Sequence, residues 1–386
     1  MSKQLLILSL FLNLIVVNAQ TVSTVTNGNF HDGLAVDSQG NVYGSDFPPV
    51  APWPNPIKNV YKYDTDGNLT VFASGFLSPN GIGINSQNEI YICDHYGNLI
   101  KKYSDDGTLL QTFDGGLFAT PAGIKPIPNS LDMLVVEYDA TSGNKIKKLN
   151  QDGSVDLLYS GAPLNGPAGI AFIGETAYVA NFNDRKIFSL INNNLIEIAQ
   201  LPSNSNPNSD FLGFLTSANG QLYATHIGLG QLFTVDPDNG SVAVYAGSVP
   251  GSDDGAIATA TFSSPNGITY DALHDKMYVS ETVSKNLRVI SNATLSTQQA
   301  RVDLMKISVV PNPVSENLNI EIGLKTLDTV HIEIIDLSGK IVHTENVIPE
   351  NVSFSIDIPV TNLSKGHLLL RCEQNGLSIS KKIILK

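Results

Sequence analysis

A short phrase recurs along this 386-residue chain and constrains its fold more than any other feature. It reads Asp32-Gly33-Leu34-Ala35-Val36, then Pro79-Asn80-Gly81-Ile82-Gly83-Ile84, then Pro121-Ala122-Gly123-Ile124. It returns as Pro167-Ala168-Gly169-Ile170-Ala171-Phe172, more loosely as Phe211-Leu212-Gly213-Phe214, and last as Pro265-Asn266-Gly267-Ile268-Thr269-Tyr270. Its glycines lie about 42 to 54 residues apart, the spacing of propeller blades. Each copy leads into a polar turn and an alternating run such as Ile90-Tyr91-Ile92. A third run such as Ile100-Lys101-Lys102-Tyr103 follows, then a hairpin turn and a fourth run such as Leu110-Gln111-Thr112-Phe113. The turns Asp66-Gly67, Asp106-Gly107 and Asp152-Gly153 suit the positive φ of a tight hairpin. Four antiparallel strands repeated six times predict an all-β, six-bladed β-propeller over residues 20–291. The sixth copy has only three strands, ending near Leu287-Arg288-Val289-Ile290. The β-branched run Thr21-Val22-Ser23-Thr24-Val25-Thr26 is predicted to supply the fourth, closing the ring and covering an open edge.

The two ends differ from this pattern. Residues 1–19 read as a signal peptide: Lys3 is the basic start, Leu5 to Val17 the apolar core, and Val17-Asn18-Ala19 the small-residue cleavage site. The apolar run is shorter than the ~20 residues a membrane span needs, and no later run is long enough to span. Residues 292–305 form a polar linker, and from residue 306 the blade phrase is absent. Acidic residues outnumber basic ones 27 to 14 over residues 20–305, so the net charge of −13 lies in the propeller. An acidic surface repels phosphate backbones and argues against nucleic-acid binding. Cys93 and Cys372 fall in different domains, which argues against a disulfide; Cys93 in its apolar strand reads as a buried thiol.

Two resemblances follow from these residues. The run from Ala246-Gly247-Ser248 through Asp254-Gly255-Ala256 and Ala260-Thr261-Phe262 into Pro265-Asn266-Gly267-Ile268 resembles an NHL repeat. The Pro-Asn-Gly-Ile phrases resemble those of SMP-30/gluconolactonase-like propellers, a group that includes hydrolases, lyases and pure binding platforms. Residues 306–386 resemble the type A sorting domain of the type IX secretion system of Bacteroidetes-type bacteria. Val309-Val310-Pro311-Asn312-Pro313-Val314, Ile335-Asp336-Leu337-Ser338-Gly339-Lys340 and Leu363-Ser364-Lys365-Gly366 stand in the order of that family. His367-Leu368-Leu369 departs from it where an aromatic usually follows the glycine. The resemblance implies a small Ig-like β-sandwich, recognition by the type IX machinery, and a protein that is secreted or displayed on the outer-membrane surface.

In a blade, the start of the first strand and the end of the second share one face of the disc. That places His31, Asp32, Asn80, Asp210 and Asn266 with Asp46, Asp94, His95, Glu137, Asn181, Asp184, His226 and Glu281 around one mouth. Trp53, in a proline-stiffened insertion on the same face, is a candidate for stacking on a ligand. Carboxylates, amides and imidazoles gathered there suit one divalent cation, calcium or zinc, for which Glu137, His226, Asn266 and Glu281 are the candidate ligands. The SMP-30 resemblance implies a metal that polarises an ester and its attacking water. Here His31-Asp32-Gly33 replaces the early Glu-Gly-Pro element of that family. His31, His95 and His226 are the alternative, zinc-type grouping of an NHL-type lyase. The leading expectation is a module binding a small molecule, glycan or peptide at the mouth. The alternative is a metal-dependent hydrolase or lyase. No Walker loop, Gly-Xaa-Ser-Xaa-Gly elbow, His-Glu-Xaa-Xaa-His or Cys-Xaa-Xaa-Cys occurs.

Overall fold

The structure, a computed structural model, describes residues 20–46, 58–139, 143–294, 305–309, 313–324, 327–336, 340–374 and 377–386. It divides into two compact units, Met1–Leu295 and Ser296–Lys386. Among the described residues there is no helix.

The first unit is a ring of six antiparallel sheets, five of them four-stranded meanders and the sixth a composite, each with one copy of the recurring phrase at its first strand. Blade 2 shows the pattern: Pro79–Ile84, Ile90–Asp94, Leu99–Tyr103 and Leu109–Phe113 pair in that order. The inner two strands are buried on both faces, and the outermost strand is largely exposed. That burial explains why the phrases read as continuous apolar runs while the fourth strands alternate. The hairpin glycines Gly67, Gly107 and Gly153 have φ of +88°, +87° and +88°. In blade 4 the same turn is made by Asn192 and Asn193, both in the left-handed region.

The phrase glycines close the ring. A Cβ on Gly81 would lie 2.4 Å from the Ala122 carbonyl oxygen of the next blade, and one on Gly123 2.0 Å from that of Ala168. The same contact passes from Gly33 to Asn80, from Gly213 to Asn266 and from Gly267 to Asp32. Six backbones converge so tightly on the axis that no side chain fits between them, which is the physical reason for the recurrence. Hydroxyls reinforce the contact: Ser45, Thr225 and Ser280 donate to the carbonyls of Asn80, Asn266 and Asp32 in the next blade.

The sixth blade has the predicted composite form. Thr21–Thr26 pairs antiparallel with Leu287–Ser291, and a two-residue strand, Gly255–Ala256, pairs with it from outside. Val22 is buried in the core of this blade with Phe262, Met277 and Ile290.

The second unit holds a three-stranded and a four-stranded sheet around one apolar core. Asn317–Leu324 contributes Leu318, Ile320 and Ile322 to that core, and Gly366–Gln374 contributes Leu368, Leu370 and Cys372, both at period two. Cys93 and Cys372 are free and buried. Burial pushes the Cys372 thiol up to about 12 and Cys93 well above its ordinary value, so neither is an activated nucleophile.

Candidate functional site

The last residue of the second strand has one structural job in five blades. Asp94 accepts hydrogen bonds from the Leu77 and Ser78 amides at 3.0 and 2.8 Å. Glu137 accepts from the Ala119 amide at 2.8 Å, and Glu281 from the Ser263 amide at 2.8 Å. Asn181 Nδ2 donates to the Pro163 carbonyl at 2.9 Å, and His226 Nε2 meets the Pro202 carbonyl at 3.0 Å. In each case the partner lies in the segment that leads into the same blade's first strand. These five side chains are buried and act as latches.

The carboxylates also carry their own counter-ions. Glu137 pairs with Lys147 at 2.7 Å and Lys145 at 3.7 Å, and Glu281 with buried Arg288 at 2.8 Å. Asp46 lies 3.6 Å from Lys58 and 3.4 Å from Lys285, the latter from blade 6. Asp210 pairs with Arg185 at 2.7 Å and His226 at 3.3 Å. The Leu229 amide donates to His226 Nδ1, which leaves the proton on Nε2. Burial holds that imidazole below its ordinary pKa, and both its nitrogens are occupied.

A different set surrounds the axis at the mouth. The residue before each phrase glycine is polar in three consecutive blades, Asn266, Asp32 and Asn80, and apolar in the other three, Ala122, Ala168 and Leu212. All three polar residues are buried, and Asn266 Nδ2 donates to Asp32 Oδ1 at 3.0 Å. Among the described residues, none offers a hydrogen bond to Oδ1 of Asn80 or Oδ1 of Asn266. Burial raises the Asp32 carboxyl to about 8, so near neutrality it is a protonated, neutral acid.

Aromatic rings occupy the opposite arc. His95, Tyr138, Phe182 and Phe211 form a continuous series across blades 2 to 5, with centroids 6.4, 6.2 and 4.5 Å apart. Phe182 and Phe211 stack nearly parallel, and Tyr96 packs edge-on against His95. Tyr138, Phe182 and Phe211 are half-buried, and Tyr96 is exposed. Tyr138 is fixed by its hydroxyl, which donates to Asn183 Oδ1 at 3.0 Å. The mouth is thus two-sided, with buried amides and a neutral acid on one arc and aromatic faces on the other.

The comparisons with known proteins divide along the two units. Residues 308–386 match the secretion system C-terminal sorting domain. The second unit is that sorting domain. The chain is therefore cargo of the type IX system, exported to the cell surface or beyond it, and no helix among the described residues is long and apolar enough to cross a membrane. The propeller is similar to a gluconolactonase from Xanthomonas campestris, at 17% identity over 70% of this chain and 89% of that one, with a TM-score of 0.53. It is similar to an auxiliary nutrient binding protein from Bacteroides ovatus, at 12% identity over 71% and 76%, TM-score 0.56. A protein of unknown function from Bacteroides thetaiotaomicron gives 16% over 71% and 76%, TM-score 0.59. No curated protein matches the chain. At these identities the likeness shows the propeller fold alone.

In the exported propeller, the expected site residues separate into two groups. Asn80 and Asn266 lie at the axis with Asp32, and His95 lies in the aromatic arc. His31 is buried beside Asp32, and its imidazole is held near 4, chiefly by burial. Glu137, Asn181, His226 and Glu281 are instead drawn into latches, and Asp46 and Asp210 into ion pairs within and between blades. Of the four expected metal ligands, only Asn266 therefore reaches the axis. Among the described residues no three His, Cys, Asp or Glu side chains gather where they could hold a metal, so His31, His95 and His226 do not form the zinc-type grouping. Trp53 lies outside the described residues. Sequence reasoning passed over Tyr138, Phe182 and Phe211. The signal was there: Tyr138 and Phe182 each follow a latch residue directly, and that position bonds back to the residue preceding the first strand.

Proposed function

We propose that this protein is an exported binding module whose mouth takes a carbohydrate or another small ligand with one polar and one apolar face. The observation that carries the reading is the aromatic arc of His95, Tyr138, Phe182 and Phe211 facing the polar arc of Asn266, Asp32 and Asn80. Half-buried aromatic rings offer large contact area at little conformational cost. Across from them, two buried amide oxygens are each short of a hydrogen bond, a deficit of roughly 1–3 kcal/mol apiece that a ligand hydroxyl or amide would remove. The fold serves nutrient binding in one neighbour and bears a lactonase name in another, so the site must choose between them. The test is a glycan and small-molecule array probed with the full chain, with and without a chelator. Binding to a discrete, chemically related set that survives chelation is expected. A silent array, or signals abolished by chelation, would overturn the reading.

A second reading has one observation in its favour: the unpartnered oxygens of Asn80 and Asn266 beside the Asp32 carboxyl. This all-oxygen set suits a hard cation such as calcium better than zinc, and such a cation would displace the Asp32 proton. Metal analysis of protein purified without chelator tests it. One calcium per chain, lost on Asp32→Asn, would support a metal-dependent hydrolase of the SMP-30 kind; substoichiometric metal would remove it.

A further inference from the structure

We propose a second binding site on the face opposite the mouth, a chamber at the far end of the channel that takes a small organic monocarboxylate against Lys125. The first strands of all six blades end around this chamber, an open hollow of about 250 Å³. At roughly 30 Å³ per water it has room for about eight waters, the scale of a small organic acid. Beside the phrase glycines lies a separate void of only about 10 Å³, too small to hold such a molecule. The chamber is lined by the ends of the first strands, whereas the mouth lies at their starts, so it is independent of the reading above.

Among the described residues that line the chamber, Lys125 is the one that carries a charge, and it also borders the small void. Among the described residues, none forms an ion pair or a hydrogen bond with its ammonium. The carboxylates at the first-strand ends of blades 1 and 6 are occupied elsewhere. Asp37 accepts from the Gln39 and Asn41 amides and from Tyr43, and Asp271 from the Leu273 and His274 amides and the His274 ring. Burial alone lowers the lysine to about 8, with no neighbouring charge contributing. A cation partly withdrawn from water and left unpaired is costly, and an anion that enters the chamber removes that cost.

The walls select the class of anion. Ile84, Ile170 and Phe172 offer apolar surface, and Thr216 and Thr269 add hydroxyl-bearing side chains. A monocarboxylate is neutralised by the single lysine and lays its apolar body on the walls. A phosphate dianion would leave one charge uncompensated in the same surroundings.

The experiment is calorimetric titration of the full chain with sodium benzoate, with benzamide and inorganic phosphate as comparison probes. Benzoate is expected to bind one per chain, and Lys125→Met to weaken it by about tenfold or more, the scale of one lost charge-assisted hydrogen bond. Benzamide and phosphate should bind at least about tenfold more weakly than benzoate. Should Lys125→Met fail to fold, the wild-type protein decides. Acetylation by acetic anhydride, mapped by mass spectrometry, should slow several-fold at Lys125 under saturating benzoate and stay unchanged at Lys101. No benzoate binding, an unaltered Kd in Lys125→Met, equal binding of phosphate, or unprotected Lys125 would each overturn the proposal.

Discussion

At the scale of single residues, backbone crowding at the axis and desolvation at the mouth make opposite demands. Gly81 has another blade's carbonyl 2.4 Å from where a Cβ would stand. Gly81→Ala is expected to cost about 3 kcal/mol through overpacking, read as a lower urea midpoint at unchanged slope. Asp32 makes a prediction in pH. Its carboxyl ionises near 3.8 when unfolded and near 8 when folded, so the folded state holds an extra proton between those values. Stability from this group is fully present below about pH 4, falls as pH rises, and is lost above about pH 8. Asp32→Asn keeps an acceptor for Asn266 and has no charge to bury. Its melting temperature should therefore decline less than wild type between pH 5 and pH 8. An equal decline in both proteins would show that Asp32 does not hold that proton. The glycines were legible in the sequence because close approach admits only one residue type. The roles of Glu137, His226 and Glu281 were not, since a latch and a ligand call for the same side chains. Only the position of the lead-in amides and carbonyl, and of Lys147 and Arg288, tells them apart.

At the scale of elements, blade 6 closes the ring by non-covalent contacts alone, and Arg288 is its hub. Its guanidinium donates to Glu281 and to the Thr261 and Asp253 carbonyls, pairs with Asp254, and lies 5.2 Å from the Phe262 ring centre. Asp254 in turn accepts from the Thr24 amide and hydroxyl of the N-terminal strand. Arg288→Met leaves Glu281 buried without its cation and should cost roughly 3–5 kcal/mol. Amide exchange should rise first in Thr21–Thr26, the strand that Asp254 ties down, and uniform loss of protection across all blades would contradict this order. The missing fourth strand and the β-branched N-terminus made this closure readable from sequence. The Asp-Gly turns were equally plain. The Asn192-Asn193 turn of blade 4 was not, because asparagine tolerates the left-handed region without announcing it as glycine does.

At the scale of the whole molecule, the chain joins a propeller to an export address. The address was readable because its motifs occur in a fixed order within 80 residues, and residues 308–386 carry it. Deleting them should abolish appearance at the cell surface and in the medium while the propeller accumulates within the cell envelope, as cell fractionation would show. The aromatic arc escaped the sequence reading because its rings come from four blades and meet only when the ring closes. It is also the feature on which the functional account depends. The measurement that tests it most directly is array binding by the Phe182→Ala variant beside wild type, with circular dichroism on both. The account predicts a variant that stays folded and loses the ligands that wild type retains. Undiminished binding by the folded variant would contradict it.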